Sequence, residues 1–464
     1  MIRRDLVIIG AGPAGMAAAA TAADLGLSVS ILDEQLRAGG QIYRDVDRAA
    51  ELRGDILGKD YAHGATLTAG LRSRAIDHLP GAVVWAIEEG FRVSYSIDGE
   101  AAQLSASHVL LATGALERPM PLPGWTLPGV MTAGAGQILL KQSGVLARNA
   151  VLVGSGPLLY LIAIQMIRAG TPPAAMIETQ GRGDIMRAMR HLGGALRGWP
   201  YLLKGMRMLG EIARARVPRF IGAQDIRIEG DSCAEAVAFT SAGRTRRIAC
   251  DTVFLHHGVV PNTQAARSLG ITHAWDDAQN CFAPMLDEWG QSDVEGVFIA
   301  GDGAGIRGAR AAEHAGGLAA LKIAETLGHI SGPDCMERAA PLRAALMHEC
   351  APRAFLDAAY PPFGEALAPA DSTIVCRCEE VTAGAIRRYA GMGCLGPNQA
   401  KAFGRAGMGA CQGRFCGLTV TALLAEANGR TADETGHFRI RPPLKPVTLG
   451  ELAAMDEQAQ DAAE

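Results

Sequence analysis

Leu6-Val7-Ile8-Ile9-Gly10-Ala11-Gly12-Pro13-Ala14-Gly15, with the alanine-rich run that follows, is the stretch whose reading decides the fold. Four consecutive apolar residues suit a parallel strand buried on both faces. Gly10 permits a tight turn, Gly12 lets the backbone approach a pyrophosphate, and Gly15 lets helix and strand pack closely. Pro13 and Ala14 lead into a helix over about 14–25, whose first N–H groups face the phosphates. A second strand, 28–32, ends at Asp33-Glu34, the spacing expected of a ribose-binding acid. A lone GxGxxG is weak evidence. Strand, loop, helix, strand and acid in order define a dinucleotide-binding unit.

Further segments favour FAD as the occupant. Ala38-Gly39-Gly40-Gln41-Ile42 looks like the stretch of two-dinucleotide-domain flavoproteins that runs under the flavin, and Ala112-Thr113-Gly114 looks like their Ala-Thr-Gly strand end. Gly301-Asp302, after the apolar run 297–300, looks like their second FAD signature, in which the acid reaches the ribityl and phosphate region. These segments lie far apart, so the FAD domain is split, over 1–118 and 282–330, around an inserted domain at 119–281. The insertion carries a poorer copy of the loop, Gly154-Ser155-Gly156, with an acid at Glu178. Leu159 replaces its third small residue, which keeps helix and strand further apart. An NAD-type fold is expected there, and whether it holds NAD(P), another adenine nucleotide or nothing stays open. His256 and His257 are read as packed strand-end residues.

Two cysteine pairs stand near the other end of the chain: Cys376 with Cys378, and Cys411 with Cys416. Paired thiolates on glycine-rich turns suit an iron–sulfur or zinc centre. Zinc has no redox chemistry, so beside a flavin the pattern favours a [2Fe-2S] cluster and electron transfer. Cys394 is the one stand-in ligand; the other cysteines are scattered without a disulfide rhythm. With the chain entering a strand at once, a cytoplasmic, reducing setting is expected. No cysteine precedes Cys233, which argues against a disulfide reductase of this fold.

Net charge is -4, which gives no reason to expect nucleic acid. The apolar stretches at 6–23 and 151–167 are broken by glycine loops, so no integral membrane segment is expected and membrane association would come through a complex. Residues 182–219 interleave arginines with Met, Leu and Ile, an amphipathic pair of helices with a basic face. That face is either solvated or docks an acidic partner. A helix over 309–327 completes the FAD domain. Prolines from Pro333 to Pro369 mark 331–370 as a connector with a short helical piece. The cysteine domain follows at 371–430, with Thr382 capping its first helix, and 431–464 is a tail.

With these pieces placed, the chain resembles the alpha-type (A) subunits of hetero-oligomeric opine oxidases, along with hydrogen cyanide synthase B-type subunits and the FAD/NAD-type subunits of proline or hydroxyproline dehydrogenases. The most specific stretches are 39–44, 112–119, Leu-Pro-Gly-Trp-Thr-Leu-Pro-Gly-Val-Met at 122–131, and the cysteine block, which is similar to the bacterioferritin-associated ferredoxin-like [2Fe-2S] domain. The resemblance implies an α/β, glutathione reductase-like fold plus a small helical cluster domain. It also implies an electron-relay role in the oxidation of a secondary amine or amino acid: an opine first, then hydroxyproline or proline, or glycine. The amine would be oxidised on a D-amino-acid-oxidase-type flavoprotein B subunit, and some complexes would add a small ferredoxin-like component. The alternative is a self-sufficient NAD(P)H-dependent ferredoxin-type reductase.

Overall fold

The computed structural model describes residues 2–461; the ends of the expected segments at residue 1 and at 462–464 lie outside them. The opening strand, Ile2–Ile9, pairs in parallel with Val29–Asp33 on one side and Glu100–Leu111 on the other. Its apolar run from Leu6 to Ile9 is buried, as a strand covered on both faces requires. Asp77–Pro80 extends the sheet at one edge, while Arg92–Ile97 and Val83–Glu88 add an antiparallel flap at the other. Val297–Ile299, from much later in the chain, pairs in parallel with Val109, Leu110 and Leu111, which joins the two halves of the split domain.

Small residues set the helix packing. Pro13–Asp24 crosses Ala309–Thr326 so closely that a Cβ on Gly316 would lie 2.1 Å from the Ala14 carbonyl oxygen. Helix and sheet approach to the same degree at Gly15, where a Cβ would meet the Gly10 carbonyl oxygen at 1.9 Å.

The chain leaves this domain through Ala115–Glu117 and returns through Val259–Pro261, two strands paired antiparallel. Between them lies a parallel five-stranded sheet in the order Arg219–Ile221, Ala175–Glu178, Ala150–Gly154, Thr252–His256, Val130–Thr132. The chain rejoins the first core at Ala265, Ala266 and Ile271, ahead of the expected boundary at 282.

Three elements differ from the sequence reading. Residues 331–370 are not a connector with one short helical piece: Gly332–Cys350 is a 19-residue helix laid along Ala309–Thr326, followed by Arg353–Ala359 and Gly364–Leu367. Pro333 sits in the first turn, where its missing N–H costs nothing, and packing of Cys335, Ala339 and Leu342 outweighs the break expected at Pro341. The basic stretch forms three helices, Arg182–Ala188, Leu192–Arg197 and Trp199–Arg214, rather than two. The expected tail is docked on the molecule over 438–444, with Phe438, Ile440 and Leu444 buried and the Leu444 N–H donating to the Trp85 carbonyl at 2.6 Å. Among the described residues no helix is long and apolar enough to cross a membrane.

Candidate functional site

The first glycine loop is held open by its own neighbours. Gly10 adopts φ +106°, and a Cβ there would meet the Ala112 carbonyl oxygen at 2.5 Å. Asp33 does not face outward: its carboxylate accepts from the N–H groups of Ala11 and Gln35, each at 2.7 Å. Burial pushes that carboxyl upward, and the two N–H donors oppose the shift. Glu34, the neighbouring acid, is exposed and pairs with Lys445 at 2.7 Å. The Gly39 N–H donates to the Ala11 carbonyl at 2.8 Å, which brings Gly40 against Gly12. The 112–114 turn is locked by Asn262: Thr113 Oγ1 donates to its carbonyl at 3.0 Å, and its own N–H donates to the Gly114 carbonyl at 3.0 Å. Gly301 packs against Ala14, and Asp302 accepts from the N–H groups of Arg307 and Gly308 at 2.8 and 2.9 Å. Gly10, Gly12, Gly15, Gly40, Thr113 and Gly301 thus converge at the carboxyl ends of Ile2–Ile9, Glu100–Leu111 and Val297–Ile299, at the N-termini of two helices.

Lys141 was not foreseen from the sequence. It lies on Ala133–Ser143, is 2% exposed, and donates to the carbonyls of Gln41 (3.1 Å) and Ile42 (2.9 Å) and to Gln137 Oε1 (2.9 Å). No carboxylate pairs with it among the described residues. Burial, and then the charge of Arg44, push its ammonium down to about 7 from 10.5. Between those values the unfolded chain holds a proton that the folded chain lacks, so this group makes stability rise with pH, and its full penalty is in place below about 7. Lys141→Met should therefore abolish a gain of about 2 kcal/mol between pH 7.5 and 9, read by urea melts of both proteins. Parallel pH profiles would refute it.

The second glycine loop is built differently. Gly154 adopts φ +129° and Gly156 φ +109°, and Ser155 is buried. Glu178, the acid in ribose position, is 1% exposed and saturated: Arg219 donates at 2.6 and 2.9 Å, Tyr160 at 2.7 Å, and Gln180 adds a further N–H. Residues 360–363 lie across the same sheet edge. Ser155 Oγ donates to the Pro361 carbonyl at 3.4 Å, and the Phe363 N–H donates to His257 Nδ1 at 3.1 Å. His256 and His257 are both buried. Nδ1 of His256 meets Glu117 at 2.6 Å, and burial pushes His257 down to about 3.

The four cysteines pair two by two. Cys376 lies beside Cys416 and Cys378 beside Cys411, and the Gly407 N–H donates to Cys376 Sγ at 3.5 Å. The Cys416 thiol and the N–H groups of Gly407, Glu379 and Cys378 pull Cys376 down to about 6, while its pairing with Cys376 and burial push Cys416 up. Cys394 is buried elsewhere, its thiol directed at the Gly396 carbonyl at 3.4 Å. Phe438 shapes the cysteine loop: its ring would meet a Cβ on Gly407 at 2.6 Å and on Gly413 at 2.5 Å. Trp125, from the 122–131 motif, donates through Nε1 to the Ile374 carbonyl at 2.7 Å, next to the strand that ends at Cys376. A cavity of about 40 Å³ lies between Leu116 and Val260 of the linker strands and Gly413 and Gly417 of the cysteine loop.

Two dinucleotide folds, one split around the other, with a cysteine-bearing domain docked on their junction, define a flavoprotein oxidoreductase. Residues 4–317 match the family described as pyridine nucleotide-disulphide oxidoreductase, and residues 370–456 match the sarcosine oxidase A3 domain. The chain is 43% identical to the opine oxidase A-type subunit of Rhizobium meliloti, over 98% of this chain and 88% of that one. It is 31% identical to hydrogen cyanide synthase subunit HcnB of Pseudomonas protegens, over 97% and 98%. The L-proline dehydrogenase structure from P. horikoshii shares the fold, with TM-score 0.72 at 18% identity over 97% of this chain and 79% of that one. The chain belongs to the pyridine nucleotide-disulphide oxidoreductase family, in the branch of the opine oxidase A-type subunits, and is a component of an FAD-dependent oxidoreductase.

Proposed function

We propose that this chain is the electron-relay subunit of a hetero-oligomeric, cytoplasmic oxidase or dehydrogenase for a secondary amine or amino acid. Opines such as octopine or nopaline lead as substrates, followed by hydroxyproline or proline and by glycine. Gly10, Gly12, Gly15 and Gly40 would hold FAD at the pyrophosphate, with Asp302 toward the ribityl chain. Glu34 would turn from Lys445 to the adenosine ribose. Cys376, Cys378, Cys411 and Cys416 would hold a [2Fe-2S] cluster. Among the described residues no three His, Cys, Asp or Glu side chains enclose a single metal ion. A two-by-two arrangement fits a binuclear centre, in which each iron takes two thiolates. Bound FAD supplies two-electron chemistry and the cluster supplies single-electron transfer. The chain's own N–H donors at Cys376 favour anionic sulfur, and Trp125 and Phe438 hold the loop beside the flavin domain.

The observation that carries this reading is the pairing of four thiols on a domain whose apolar residues share one core with the flavin sheet. The amine would lose two electrons and two protons on a D-amino-acid-oxidase-type partner flavoprotein, and the imine would then hydrolyse. A small ferredoxin-like protein is a further candidate partner. The reductase alternative is weakened at the second loop, because Glu178 is already saturated and NAD(P)H would have to share the sheet edge with residues 360–363. The test is turnover of octopine, nopaline, hydroxyproline and glycine with an artificial acceptor, for the isolated chain and for the co-purified complex. Only the complex should turn over. Substantial turnover by the isolated chain, or bleaching of its flavin by NAD(P)H, would overturn the relay reading.

A further inference from the structure

The three basic helices over 182–214 are not used by either nucleotide loop or by the cysteines, yet they expose apolar side chains that a solvated face would not. Met186, Met189, Leu196, Trp199 and Met206 are each between half and three-quarters exposed. The stretch is anchored from beneath by Ala188, Ala195, Met208 and Ile212, all buried. It is also pinned at its turns: a Cβ on Gly194 would lie 2.5 Å from the Ala351 carbonyl oxygen, and one on Gly198 would lie 2.9 Å from the Pro352 ring. The outward side chains are therefore held on a fixed scaffold.

Charge is segregated onto the same stretch. Residues 182–216 hold eight basic and two acidic side chains, against 36 basic and 46 acidic in the rest of the chain. Both acids are engaged within the chain, Asp184 with the Gly181 N–H and Arg187, and Glu211 with Arg168 at 2.9 Å. Arg190, Arg197 and Arg207 form no ion pair among the described residues. Interface centres are enriched in Met, Trp and Arg and depleted in Lys, Asp and Glu. This stretch has that composition, with Lys204 its one lysine.

We infer that residues 182–207 dock an acidic face of the partner flavoprotein that oxidises the amine; the inference rests on the multi-subunit reading above. The arginines supply steering and register, and Trp199 with the methionines fills pockets on the partner. An anionic lipid surface is the competing occupant. It would favour lysine as readily as arginine, and it would not need the apolar side chains at fixed positions.

The experiment co-expresses the full chain with a D-amino-acid-oxidase-type flavoprotein subunit from the same organism and measures the dissociation constant of the complex at low and high salt. R190E/R197E/R207E should weaken the wild-type complex at least 100-fold at low salt, with a smaller difference at high salt. M189S/W199S should weaken it at least tenfold at both. Flavin content and melting temperature should match wild type in each variant, because the altered side chains are exposed. Wild-type affinity in both variants overturns this surface alone. Absence of any complex for the wild-type pair overturns the multi-subunit reading and this inference together. Sedimentation with phosphatidylcholine–phosphatidylglycerol vesicles separates the lipid alternative: vesicle binding lost in the variants while the protein complex persists assigns the stretch to a membrane and overturns the proposal.

Discussion

Replacing Gly12 with alanine should leave a folded chain that binds FAD roughly 10- to 150-fold more weakly, whereas replacing Gly15 with alanine should leave little folded chain. The two glycines lie three residues apart in one motif, but they face different neighbours. Gly12 has φ -78° and ψ -174°, an ordinary conformation for any residue. A Cβ there meets only the Gly40 Cα, at 3.8 Å, which is normal contact. The added methyl group occupies the approach of the pyrophosphate and costs at least one charge-assisted hydrogen bond, about 1.5–3 kcal/mol, or roughly 10- to 150-fold in FAD affinity. At Gly15 the methyl group meets backbone: the Gly10 carbonyl oxygen at 1.9 Å and Ala112 Cβ at 3.3 Å. Gly10 has little room to retreat, since the space on its far side is so narrow that a Cβ there would lie 2.5 Å from the Ala112 carbonyl oxygen. Strain of this kind costs roughly 4 kcal/mol or more and reaches the whole first sheet. Flavin absorbance and melting temperature of the two purified variants decide the matter. Wild-type FAD affinity in titrations of the Gly12→Ala apoprotein would show that the pyrophosphate lies elsewhere.

The first domain was legible in the sequence because its determinants are local. A buried strand, three glycines and an acid fall within the first 34 residues, and their order and spacing can be read without any distant contact. The four thiols were legible for the same reason. What escaped were elements decided by distant contacts. Pro341 argues locally against a helix, but the face carrying Ala339 and Leu342 had an apolar partner in Ala309–Thr326 that propensity does not register. Phe438 reads as one aromatic in a polar tail, yet it fills the space left by Gly407, Gly413 and Gly417. Lys141 belongs to none of the motifs that the sequence displays. Its burial follows from the docking of one nucleotide domain on the other, which no periodicity encodes. Glu178 shows the converse: its position in the motif is local, but its saturation by Arg219 and Tyr160 depends on the tertiary fold.

Cys411→Ser is expected to remove iron and acid-labile sulfide while leaving the flavin in place. Cys411 is partly exposed and pairs with Cys378, so its loss breaks one of the two thiol pairs and leaves the second unable to hold a binuclear centre alone. Small metal domains commonly unfold without their metal, because their own core is too small. This one has a second source of stability. Val375, Ile386, Val420 and Leu423 belong to the same buried cluster as Val93, Val109 and Leu111 of the flavin sheet. Loosening should therefore be confined to the cysteine loop, seen as faster amide exchange over about 374–417, with the helix Gly417–Asn428 still protected. Cys394→Ser is the matched control. That thiol already donates to the Gly396 carbonyl, a bond serine can keep, and it stands outside both pairs, so iron content should stay at the wild-type level. Anaerobically purified wild type carrying zinc as its sole metal would sink the cluster assignment. Full iron in Cys411→Ser with loss in Cys394→Ser would move the ligand set instead, because a thiol directed away from the pairs would then have to turn toward them.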